Sequence, residues 1–170
     1  MNALLTATIL ILPSLAHAAD QIGNPLVDYK GFLKVVSQVE SVRENRRLTE
    51  AQFAEFSAQP GTIVLDARSA DKFQLRHLVG AVSLPFTDFT APSLAQVIPS
   101  KTTRVLIYCN NNFRGAPISL ASKSAPASLN ISTSIALQTY GYTNVYELGP
   151  LLDVATTKLP FAGTEVSKNR

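Results

Sequence analysis

Apolar residues recur at spacings of three and four through Phe32, Val35, Val39 and Val42, which predicts an amphipathic helix over 29–44. Thr49 with Gln52 three positions on forms a capping-box signature, and Leu48 can staple to Phe53; a second helix opens there and ends at Pro60-Gly61. The period then changes. The β-branched run over 62–65 predicts a buried strand finishing at Asp66, followed by a short helix over 71–78 and a strand over 80–84. After a loop and short helix over 87–97, the segment 104–108 (R-V-L-I-Y) is the clearest strand of the chain and runs directly into Cys109. Downstream, the pattern predicts a helix around 117–122 with Pro117 in its first turn, and a break near Pro126. A helix over 132–140 closed by Gly141, a strand over 144–148 and a terminal helix over 151–158 complete the order. Short strands alternating with helices define an α/β fold, with a central, mostly parallel sheet flanked by helices in three layers.

The first residues form a different kind of segment. An apolar run over 4–12, interrupted by Pro13 and followed by Ala16-His17-Ala18, has the form of a secretory signal peptide with an A-x-A cleavage site. It is too short and too broken for a membrane anchor. The expected organisation is a signal peptide over 1–18, an N-terminal helical extension over 19–47, a single α/β domain over 48–162 and a tail over 163–170. The expected destination is a bacterial periplasm or the exterior, with no stable membrane insertion after cleavage.

Composition narrows the function classes. Of 170 residues, 46% are hydrophobic and 16% charged, which excludes a disordered chain, a coiled coil and a collagen-like repeat. A net charge of +3 without a Lys/Arg stripe gives no nucleic-acid surface. Arg43, Arg46 and Arg47 cluster at the end of the first helix; on sequence alone they suit a solvated helix terminus better than a site for an anionic partner. One Cys excludes a disulfide scaffold and a Cys-based zinc site, and cleavage would leave His77 as the one histidine of the mature chain. There is no G-x-S-x-G, no G-x-G-x-x-G and no Walker A loop. Neither a metal nor an organic cofactor is expected.

The chemistry therefore converges on Cys109. In an open parallel sheet, ligands bind beyond the carboxyl ends of the strands. A strand ending in Cys, then Asn110-Asn111-Asn112, then Phe113-Arg114-Gly115 and a helix start, would surround a thiolate with loop N–H groups, a helix N-terminus and one guanidinium. Asn tolerates the left-handed backbone that a ring-shaped loop requires.

Four segments together resemble the rhodanese-like family of sulfurtransferases. Ile63 to Ser69 (I-V-L-D-A-R-S) is similar to its strand and D-x-R, and Asp71-Lys72-Phe73 continuing to His77-Leu78-Val79-Gly80-Ala81-Val82 is similar to its H-I-x-G-A segment. Val105 to Cys109 with Arg114 matches its strand, nucleophile and later Arg, and Gly141-Tyr142-Thr143-Asn144-Val145 its G-Y-x-x-V. The resemblance covers roughly 48–160. It implies Cys109 as the persulfide-forming nucleophile, Arg114 and loop N–H groups as holders of an anionic sulfur donor, and Asp66, Arg68 and His77 as structural supports. The partners implied are a small anionic donor such as thiosulfate and a thiol or cyanide acceptor. Asn112 stands where the family often has Gly, and the spacing from Cys109 to Gly141 leaves extra residues around 122–132, placed to shape access to the thiol. Related Cys-dependent phosphatases and arsenate reductases put five residues between Cys and Arg; here there are four, a smaller ring that favours sulfur transfer. The remaining alternative is a non-catalytic binding or sulfur-carrier module on the same fold.

Overall fold

The computed structural model describes residues 23–167; the signal-peptide segment lies outside them. In chain order the elements are α1 (Tyr29–Arg43), β1 (Arg47–Leu48), α2 (Glu50–Ser57), β2 (Ile63–Asp66), α3 (Ala70–Leu75), β3 (His77–Leu78), β4 (Val82–Ser83) and α4 (Ala91–Val97). There follow β5 (Val105–Tyr108), β6 (Phe113–Arg114), α5 (Leu129–Thr139), β7 (Val145–Leu148), β8 (Leu152–Asp153), β9 (Phe161–Ala162) and α6 (Thr164–Ser167). Five strands form one parallel sheet in the order β1-β7-β5-β2-β4. The central strand β5 is buried along its whole length, as expected where helices cover both faces.

Alternation along β5 assigns each residue a face. Leu106 and Tyr108 join a core with Phe53, Val64, Phe113 and Leu148, whereas Val105 and Ile107 join another with Leu94, Leu137 and Tyr142. Cys109 continues the parity of Val105 and Ile107, which directs its side chain to the layer that contains α5.

Local signals set the helix ends. Thr49 accepts from the Gln52 N–H while Gln52 Oε1 accepts from the Thr49 N–H, so the capping box that opens α2 is complete. Gly141 ends α5 with a positive φ of 83°. In α1, Val39 is buried, but Phe32, Leu33 and Val42 remain about half exposed.

Three predicted helices differ. The helix expected over 71–78 stops at Leu75, because Arg76 turns extended and His77–Leu78 pair antiparallel with Phe161–Ala162. The segment 117–122 is not a helix. Its carbonyl groups take donors from elsewhere: Ile118 from Lys72, Ser119 from Arg68, and Ala121 from Asn110. The helix expected over 151–158 is replaced by β8, which pairs parallel with β6, and by a turn closed on Asp153. In each case a long-range partner competes successfully for backbone groups that a local helix would have used. Residues 163–167 carry α6, where Glu165 pairs with Arg76 at 3.0 Å. Among the described residues no helix is long and apolar enough to cross a membrane.

Candidate functional site

β2 and β5 are paired with Asp66 opposite Tyr108, on the face away from Cys109. Tyr108 donates to Asp66 Oδ2 at 2.5 Å, and its oxygen accepts the Leu78 N–H at 3.1 Å. Arg68 meets Asp66 through Nε at 2.9 Å and Nη2 at 2.5 Å, and donates onward to the carbonyls of Ser119 and Arg76. All three side chains are buried. Burial, and then the adjacent Asp66 charge, push the Tyr108 hydroxyl well above the usual tyrosine range, which keeps it a proton donor. Burial works against the Arg68 charge, but the hydrogen bond and charge of Asp66 outweigh it and raise its pKa. The network ties β2, α3, β5 and the segment after β6 into one frame. His77 is held apart from this network, against α3: Nδ1 lies 2.7 Å from the Phe73 carbonyl and its ring stacks on Phe73 at 3.8 Å.

Beyond β5 the chain does not form the open ring expected from the Asn run. Residues Asn110–Asn112 make a single 3-10 turn, and no non-glycine residue among those described has positive φ. The three Asn act through their side chains instead. Asn110 donates to the Ala121 carbonyl. Asn111 and Lys123 exchange two hydrogen bonds, each of 2.9 Å. Asn112 accepts the Cys109 N–H at 2.9 Å and the Asn130 amide at 3.0 Å, and donates to the Leu148 carbonyl at 2.7 Å. The triplet thus staples the extra segment over the end of the sheet. Phe113 is fully buried against Tyr108 and Phe161, and Gly115 turns the chain with φ of 91°.

The thiol lies beneath this cover. Cys109 is 1% exposed, and its Sγ has the Asn112 N–H and the Ser128 hydroxyl as neighbours, the latter at 3.5 Å. Ser128 is the N-cap of α5 and makes no side-chain capping bond there, so its hydroxyl is available to sulfur. The helix terminus near the thiol is therefore that of α5, nineteen residues on, rather than one immediately after the loop. Nothing in the local sequence around Cys109 points to Ser128; its residue type ahead of a helix is the one available signal.

Arg114 is turned elsewhere. Its Nε lies 3.3 Å from Asp153 Oδ2 and its side chain is 70% exposed. Arg43 and Arg47, by contrast, converge at 2.7 and 3.2 Å on Oε1 of the buried Glu147 in β7. Burial raises the Glu147 pKa, against the opposing pull of Arg43 and then Arg47. Two cavities flank the site. One of about 500 Å³ lies by Arg68, Phe86, Asn110 and Lys123, and one of about 260 Å³ lies by Arg43, Arg47, Asn112 and Ser128. Among the described residues no group of three or more His, Cys, Asp or Glu could hold a metal ion.

A parallel α/β sheet with a lone cysteine at the carboxyl end of its central strand, and an Asp-x-Arg frame behind it, defines a thiol-bearing α/β domain. The profile of the rhodanese-like domain matches residues 49–149, and the chain belongs to that family. Membership associates it with sulfur-transfer chemistry at the level of the family. Among solved structures, the rhodanese-like domain of the Alr3790 protein from Anabaena sp. is 18% identical, with a TM-score of 0.50 over 72% of this chain and 83% of that one. A structure described as rhodanese with anions from E. coli is 22% identical, with a TM-score of 0.41 over 61% of this chain and 99% of that one. A Helicobacter pylori protein is 19% identical, with a TM-score of 0.47 over 75% and 98%. No curated protein matches the chain.

Proposed function

We propose that this chain is an exported sulfurtransferase that carries a sulfane sulfur on Cys109. The carrying observation is the position of that thiol at the end of β5 in a rhodanese-like fold, with its sulfur against the Ser128 hydroxyl and the Asn112 N–H. The Cys109 thiolate attacks the outer sulfur of thiosulfate. The S–S bond breaks, its electron pair leaves with sulfite, and a Cys109 persulfide remains. Cyanide or a thiolate then attacks the outer persulfide sulfur, taking it as thiocyanate or a new persulfide and returning the Cys109 thiolate. Each half-reaction is a displacement at sulfur, so the kinetics are ping-pong. The Ser128 hydroxyl and the Asn112 N–H are placed to stabilise the anionic sulfur in both steps.

The leader-like sequence over 1–18 supports export, and the periplasmic form should begin at residue 19. Intact-mass measurement of protein from the periplasm, purified without reductant, tests this reading. Thiosulfate should add one sulfur atom to the reduced wild type, cyanide should remove it as thiocyanate, and Cys109→Ser should do neither. The 1% exposure of Cys109 favours a second reading, a binding or sulfur-carrier module. No uptake of sulfur by the reduced wild type from thiosulfate or any other sulfane donor would establish a binding module instead; uptake from some other donor alone would mark a carrier.

A further inference from the structure

From the same site, we infer that the anionic end of the sulfur donor is held by Arg43 and Arg47, which come from outside the family-matched segment, and not by Arg114. The inference rests on the sulfurtransferase reading above for its substrate class. Arg114 is committed to Asp153 and faces solvent. Arg43 at the end of α1 and Arg47 in β1 instead line the cavity of about 260 Å³ whose wall also holds Ser128. Ser128 both lines this cavity and touches Cys109 Sγ, and Asn112 both lines it and accepts the Cys109 N–H. The cavity is therefore one side chain from the sulfur.

Its charge suits an oxyanion. The ionisable residues in its wall are Arg43, Arg47 and Glu147, two cations against one carboxylate. Both guanidinium groups lean on the same carboxylate oxygen; Arg47 also faces Glu44 at 3.7 Å and donates to the Gly149 carbonyl at 3.3 Å, whereas Arg43 Nε has no acceptor among the described residues and is the free donor of the pair. A guanidinium offers paired N–H groups that match a sulfonate edge. The first turn of α5 opens into the same wall at Ser128 and Asn130, with no side-chain cap closing it. The larger cavity holds Arg68, Lys72 and Lys123 and no carboxylate, but Ser128, the side chain that touches the sulfur, does not line it. The tetrahedral SO3 end of thiosulfate thus sits between α1 and α5, with its sulfane sulfur toward Ser128 and Cys109.

Steady-state kinetics with thiosulfate and cyanide, beside a neutral organic trisulfide as donor, test this. Arg43→Gln and Arg47→Gln should each raise KM for thiosulfate at least about tenfold, the size of a lost charge-assisted hydrogen bond. They should leave KM for the trisulfide, and the rate of cyanide unloading from preformed persulfide, unchanged. Arg43→Gln also leaves buried Glu147 with one cation fewer, so Arg47→Gln at its more exposed position and Arg43→Lys, which keeps the charge, separate binding from folding; Arg43→Lys should recover part of the affinity. Calorimetric titration of thiosulfate into Cys109→Ser should show the same loss on Arg47→Gln without any turnover. If Arg114→Gln or Lys123→Gln raises KM for thiosulfate while the α1 and β1 variants do not, the assignment is overturned. If wild type turns over neither donor, the sulfurtransferase reading fails, and the Cys109→Ser titration alone decides whether the anion site exists.

Discussion

Cys109 and Asn112 hold each other reciprocally. The Cys109 N–H donates to Asn112 Oδ1 at 2.9 Å, and the Asn112 N–H donates back to the Cys109 carbonyl at 3.1 Å with the sulfur beside it. This pairing turns the chain immediately after β5 without any left-handed residue. It also makes position 112 depend on a side chain, where the sequence suggested that backbone freedom was the requirement.

Asn112→Gly is therefore expected to destabilise. It removes the acceptor for the Cys109 N–H and the Asn130 amide and the donor to Leu148, all buried. The expected loss is about 2 kcal/mol or more, a fall in Tm of roughly 4–8 °C. Urea unfolding monitored by circular dichroism measures it. A Gly variant as stable as wild type would show that the amide is dispensable.

The buried frame behind the site should respond unequally to two changes. Tyr108→Phe leaves Asp66 paired with Arg68 but strips the Leu78 N–H of its acceptor, a loss of about 1–3 kcal/mol. Arg68→Ala leaves the Asp66 carboxylate buried without its cation and should remove about 3–5 kcal/mol. Equal effects in denaturant titrations would contradict the arrangement.

Glu147 gives a pH signature. Its folded pKa is raised, chiefly by burial. The folded state therefore holds the proton more tightly than the unfolded chain, and this group contributes stability at low pH that is lost as pH rises through the unfolded and then the folded value. Glu147→Gln does not titrate there, so its stability relative to wild type should increase between pH 4 and pH 7. Paired unfolding curves across that range check the sign.

Gly115 lies at φ of 91°, and a Cβ there would meet Val154 Cγ2 at 3.0 Å and Asp153 Oδ1 at 3.2 Å. Gly115→Ala should weaken the β6–β8 pairing and separate Arg114 from Asp153, with a loss of about 1–2 kcal/mol. Hydrogen exchange at the Val154 N–H, which donates to the Arg114 carbonyl, reports it directly.

The local chain by itself determined the elements whose stability is local or whose burial is complete. The apolar runs of β2, β5 and β7, the Thr49–Gln52 box and the Gly141 cap are legible because each depends on residues a few positions apart, or on hydrophobicity along one strand. The position of Cys109 at the end of β5 followed from the same run, and the Asp66, Arg68 and His77 motif was visible as a string. Tertiary structure decided what those residues touch. Ser128 reaches the sulfur, Arg114 turns to Asp153, Arg43 and Arg47 meet Glu147, and the segments 117–122 and 151–158 give their backbone groups to distant partners. Such pairings join positions far apart in the chain and compete at nearly equal free energy with water or a local turn. Only the packing of the whole domain, which removes the water, selects between them.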